Sequence, residues 1–128
     1  MDSGEATNLV LLVDDDARTV RRLAKMLRAD GFEVEVVTDG RTALARVAAA
    51  PVPRALVTEW VLPNVDGMAV ARTARRHWPS LPVIFVTGYP QLAEKAVDLV
   101  PQPAVMTKPV DYDHLVNQLR STMGPRVL

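Results

Sequence analysis

The 128-residue chain has no cysteine, which excludes a disulfide framework, a thiolate metal site and a thiol nucleophile. It has no excess of either charge, since fifteen basic residues balance fifteen acidic ones. No global field therefore draws it to nucleic acid or to a membrane surface. Aromatic residues make up only 5% of the chain, and Trp60 and Trp78 read as packing residues, not as a stacking platform for bases. No apolar run approaches the roughly 18 residues that a membrane span needs. The polar, acidic start MDSGEATN has the wrong chemistry for a signal peptide. A cytoplasmic location is the expectation. A glycine-rich nucleotide loop is also missing, which disfavours a nucleotide-binding enzyme. After Thr122 there is no helix-turn-helix or catalytic segment, which argues against an output domain in this chain. His77 and His114 stand far apart without ligand spacing, so a histidine metal site is not expected.

What is present is an ordinary globular balance, 48% hydrophobic and 23% charged, suited to one domain over residues 1–128 with a core at about 8–122. Short apolar runs alternate with amphipathic stretches. Leu9 to Val13 is a continuous apolar run, as in a strand buried on both faces. Asp16 then caps a helix from Ala17 to about Ala29, with Val20, Leu23, Ala24 and Leu27 on its apolar face. Asp30-Gly31 closes it, with Gly31 as the left-handed residue. Glu33 to Val37 reads as an edge strand, and a second helix turns Ala43, Leu44, Val47 and Ala48 inward. The third strand is Ala55 to about Thr58. A Pro63-Asn64 loop follows, and Asp66 caps a third helix from Met68 to about His77. Val70, Ala71 and Ala74 face in there, and Arg72, Arg75 and Arg76 face out.

Val83 to Val86 is the fourth strand. Pro90 suits the first turn of a fourth helix, whose expected face is Leu92, Ala93, Ala96, Val97 and Val100. Pro101 and Pro103 stop it. Ala104 to Met106 is the fifth strand, and Asp111 caps a last helix with Tyr112, Leu115, Val116 and Leu119 on its apolar side. Five strands alternating with five helices predict an α/β domain with a parallel sheet and right-handed crossovers.

In such a sheet the carboxyl ends of the strands share one edge, where ligands bind. The polar residues there are Asp14 and Asp15, Glu59, Thr87 and Lys108. Three carboxylates side by side repel unless a hard cation or an ammonium is present. Lys108 supplies the ammonium, and Mg²⁺ is the natural cation for an open, oxygen-only site. Thr87 offers a hydroxyl to a phosphoryl oxygen. Thr58 points the opposite way along the strand and is not nominated.

The order VDDD, EWVLPNVDG, VTG and TKP closely resembles bacterial response-regulator receiver domains, over almost the whole chain. The resemblance implies a flavodoxin-like, doubly wound five-stranded sheet of order 2-1-3-4-5. It also implies an acidic Mg²⁺-binding pair at Asp14-Asp15, with Thr87 and Lys108 on the phosphoryl oxygens. The phosphoacceptor aspartate of the family falls on Glu59, and its aromatic switch residue falls on Val105. Pro101-Gln102-Pro103 lacks the family's glycine-containing turn. One added methylene moves the carboxylate by roughly 1.5 Å, and misplacement of ~1 Å can cost about a hundredfold in transfer.

The expectation is an atypical (pseudo-)receiver, not an enzyme, that acts as a phosphorylation-independent protein-interaction module. Its partner would be a histidine kinase, phosphotransfer protein or output protein. Direct nucleic-acid or membrane binding is not expected, and a homodimer is compatible. Mg²⁺ should bind weakly or not at all through Asp14, Asp15 and Glu59. Two arrangements stay open: Lys108 bonds Glu59 directly, or Mg²⁺ bridges Glu59 and Asp15. The alternative is a phosphorylatable receiver that accepts a phosphoryl group from a histidine kinase, either alone or as part of a larger regulator or hybrid kinase.

Overall fold

The computed structural model describes residues 8–96 and 98–124. The start MDSGEAT and Val97 lie outside them. Five parallel strands form one sheet: β1 (Leu9–Val13), β2 (Glu33–Val37), β3 (Ala55–Glu59), β4 (Val83–Thr87) and β5 (Ala104–Thr107). Their order is β2-β1-β3-β4-β5, with Val10 beside Ala55, Leu56 beside Val83 and Ile84 beside Ala104. The central strands β1, β3 and β4 are apolar almost throughout because both of their faces are covered. Edge strand β2 alternates, EVEVV, and only its last residue is buried.

Four α-helices cover the sheet: α1 (Ala17–Ala29), α2 (Gly40–Val47), α3 (Gly67–His77) and α4 (Tyr112–Met123). Each has an aspartate N-cap. Asp16, Asp39, Asp66 and Asp111 accept from the backbone N–H three residues on, which satisfies one orphan donor per helix. The core lies in two layers. Leu11, Leu56, Phe85, Val70 and Ala74 pack on one face of the sheet with α2 and α3. Val10, Val57, Ile84, Leu27 and Leu119 pack on the other with α1 and α4. Gly31 closes α1 at φ 95°, as its position after Asp30 predicts. Trp60 stacks on Phe85 at 4.4 Å between centroids, and Trp78 Nε1 donates to Val47 O. Both tryptophans are packing residues.

Three expectations need correction. The fourth helix is not an α-helix: Pro90–Ala96 is a 3-10 helix. Leu92 is partly buried against the core, but Val100 is 81% exposed and Leu99, off the expected face, is buried instead. Three residues per turn move the inward positions away from a 3.6 period. Ala48 is exposed just past the end of α2. Arg75, expected to face out, is only 8% exposed, because its Nε donates to Leu81 O and pins the turn that follows α3.

Candidate functional site

The carboxyl edge of the sheet is assembled by three short loops. After β1, Asp14 stays close to the strand, its N–H donating to Val37 O and its Oδ1 accepting from Asp16 N at 3.0 Å. After β5, Lys108 is tied to the end of β4 by its own N–H, which donates to Thr87 O at 2.8 Å. After β3, the chain turns sharply so that α3 begins against the strand end. Gly67 N donates to Trp60 O, and a Cβ at Gly67 would press into Glu59 O and lie 2.9 Å from Trp60 Cα. Glycine is required there by close backbone approach.

These loops bring Asp14, Glu59 and Lys108 together. Lys108 Nζ lies 2.8 Å from Asp14 Oδ2 and 2.8 Å from Glu59 Oε1. Asp14 and Glu59 are buried, whereas Lys108 is half-buried. Burial works against the Lys108 ammonium, but hydrogen bonds to Asp14 and Glu59, together with their charges, outweigh it and hold its pKa above the ordinary lysine value. The second oxygen of Glu59 is also committed. Oε2 accepts from Trp60 N at 2.6 Å and from Val61 N at 3.0 Å. The extra methylene lets the side chain curl back onto the amides that follow it.

Among the described residues the other two candidates make no ion pair with Lys108. Thr87 is fully buried, and its Oγ1 accepts from Tyr89 N at 3.1 Å. Asp15 is exposed. Thr58 Oγ1 donates to Glu59 O and is buried. The two backbone amides that hold Glu59 escaped the sequence reading, because no side-chain pattern marks a main-chain donor.

Of the two arrangements left open by the sequence, the structure has the direct Lys108–Glu59 bond. That bears on Mg²⁺, which needs near-octahedral oxygen ligands. The ammonium bridges the two buried carboxylates, and the remaining oxygens of both accept backbone N–H bonds. Among the described residues no group of three or more acids or histidines is arranged to hold a metal. The donor set as it stands does not fit the ion.

Beside the cluster, a groove of about 620 Å³ runs between α1 and the start of α4, with Val20, Leu23, Met26, Val110 and Tyr112 on its walls. Asp14, Glu59 and Lys108 lie at its edge. Among the described residues, no helix is long and apolar enough to cross a membrane.

The fold and the sequence match known proteins. Residues 10–120 match the family model of the response regulator receiver domain. The chain is 32% identical over 115 residues to the response regulator receiver protein CpdR of Brucella abortus, covering 89% of this chain and 95% of that one. It is also 32% identical over 115 residues to the transcriptional regulatory protein TrcR of Mycobacterium tuberculosis, covering 89% of this chain but only 44% of TrcR. The chain thus spans less than half the length of that relative. A response regulator receiver protein from Sinorhizobium medicae superposes with a TM-score of 0.83 at 29% identity, covering 97% of this chain and 99% of that one. The 2-1-3-4-5 sheet and a family match running from β1 into α4 place this chain in the response regulator receiver domain family of two-component signalling.

Proposed function

We propose that this receiver domain works without phosphorylation, as a cytoplasmic protein-interaction module, with Glu59 in the position of the family's phosphoacceptor aspartate. The observation that carries this reading is the double commitment of the Glu59 carboxylate. One oxygen is held by Lys108 and the other by two backbone amides. A nucleophilic oxygen must be free and in line within ~3–3.5 Å of phosphorus, whereas Oε2 accepts two backbone bonds and Oε1 is paired with the Lys108 ammonium. Mg²⁺ binding through Asp14, Asp15 and Glu59 is weak or absent in this reading, and Thr87 and Lys108 are remnants of a phosphoryl site.

Glu59 takes over some contacts that a phosphoryl group would make, but it carries one negative charge where a phosphoryl group carries about −1.5 to −2. It does not recruit Thr87, whose hydroxyl stays with Tyr89 N. The domain therefore holds one state, with the threonine disengaged, and presents it to a signalling protein: a histidine kinase, a phosphotransfer protein or an output protein. The test is intact mass after incubation with acetyl phosphate and Mg²⁺. The protein should stay unmodified, and a phosphate located on Glu59 would overturn the reading in favour of a phosphorylatable receiver.

A further inference from the structure

Far from the carboxyl edge, the second half of α3 carries Arg72, Arg75 and Arg76, spaced so that they share one side of the helix. With Pro79, Asp98 and Leu99 they line a groove of about 390 Å³. The three guanidiniums differ in what they bond. Arg72 forms a two-pronged ion pair with Asp98. Arg76 is exposed. Arg75 is only 8% exposed, with its Nε donating to Leu81 O at 2.6 Å and its Nη1 buried without an acceptor among the described residues.

Cations in the last turn of a helix are favoured by the helix dipole, and that accounts for Arg76. It does not account for Arg75, whose Nε bonds a carbonyl beyond the helix and whose Nη1 bonds nothing among the described residues. A buried donor without a partner is destabilising, and more so when the group is charged. Burial also pushes this guanidinium below its usual range, with no opposing cause. Among the described residues Asp98 is the one acid lining the groove, and it is committed to Arg72, so none there pairs with Arg75 or Arg76.

We propose that this groove is a binding site for a phosphate-type oxyanion, with Arg75 and Arg76 as its ligands and Asp98 competing for Arg72. The planar guanidinium fork matches the oxygens of such an anion. Two positive charges suit a dianion better than a single carboxylate. The site lies toward the opposite end of the 11-residue α3 from Glu59, with Arg75 about 12 Å along the helix from its first residue, and does not depend on how Glu59 is read.

Inorganic phosphate, titrated into the full chain at ionic strength held constant with sodium chloride, tests this. The arginine Nε–Hε NMR signals and the melting temperature are the readouts. The Arg75 signal should shift saturably, and melting should rise with phosphate but not with chloride. Arg76→Ala should weaken phosphate by about 3-fold, the scale of one exposed ion pair. Asp98→Asn frees Arg72 and should tighten it by about the same factor. Arg75→Met should abolish the response; if that variant does not fold, the other two carry the test. A shift that fails to saturate or that chloride reproduces would overturn the proposal, as would an affinity unchanged in both Arg76→Ala and Asp98→Asn.

Discussion

Lys108 Nζ stands 2.8 Å from Glu59 Oε1, joining the end of β5 to the end of β3 through one ion pair. The same nitrogen reaches Asp14 Oδ2 at the end of β1, so a single ammonium ties three strand ends together. A partly buried charge pair is not strong evidence of net stabilisation, but removing one partner leaves the other stranded.

Lys108→Met should therefore destabilise the fold by about 1–3 kcal/mol, read as a lower urea midpoint. The wild type should lose the bridge's contribution in alkali. Its folded state holds the Lys108 proton more tightly than the unfolded chain does. That contribution is complete below the ordinary lysine value of 10.5 and is lost as pH climbs through the raised folded value. A variant whose midpoint equals the wild type's at pH 7 would mean that the bridge contributes nothing.

Gly67→Ala should be among the most damaging single-methyl changes in the chain. Its Cβ meets Glu59 O and the Trp60 backbone, neither of which is the far end of a flexible side chain. Either α3 shifts off the strand end or the β3 loop opens. A loss of about 1–3 kcal/mol or more is expected from forced overpacking, with a changed Trp60 emission because that indole sits on Phe85. Gly88→Ala is the control, since an added Cβ there meets nothing within 4 Å.

Mg²⁺ titrated against tryptophan fluorescence should give a weak response or none. To bind, the ion would have to pull Glu59 Oε2 from Trp60 N and Val61 N and displace the ammonium from two carboxylates. Trp60 supplies one of those amides and reports the rearrangement. An affinity tighter than about 1 mM would contradict the misfit between this donor set and the ion.

Much of the fold was legible because local chemistry and global topology agree. Each aspartate that ends a loop before an apolar-periodic stretch caps the helix there, and each central strand is apolar almost throughout. The convergence of Asp14, Glu59 and Lys108 was legible for the same reason, since parallel strands end on one edge. The segment from Pro90 to Val100 was misread because its apolar residues fit a helical period as well as a tighter one. Packing, which buries Leu99 and exposes Val100, chose between them. The burial of Arg75 was invisible for a different reason. A cation in the last turn of a helix reads as solvated, and only the turn carbonyl of Leu81 draws it in. Asp15 illustrates the limit of motifs: it stands next to Asp14 in sequence yet is exposed, while Asp14 takes the lysine.

Glu59→Asp should gain the ability to accept a phosphoryl group that the wild type lacks. Shortening the side chain withdraws the carboxylate by roughly 1.5 Å, too far to curl back onto both Trp60 N and Val61 N, the amides that hold Oε2 in the wild type. Those donors are then released, and one carboxylate oxygen is freed as nucleophile. Asp14 and Lys108 are already gathered at the site, and Thr87 ends the neighbouring strand, its carbonyl accepting from Lys108 N. Phosphoryl transfer depends mainly on positioning and charge neutralisation, so a correctly placed nucleophile is what the edge lacks. With acetyl phosphate and Mg²⁺ the variant should gain one phosphate by intact mass, and Lys108→Met in the same background should reduce the yield. If neither wild type nor variant is labelled, the defect lies beyond the acceptor. The Pro101–Val105 region, whose Val105 packs partly buried against the core, then becomes the place to look.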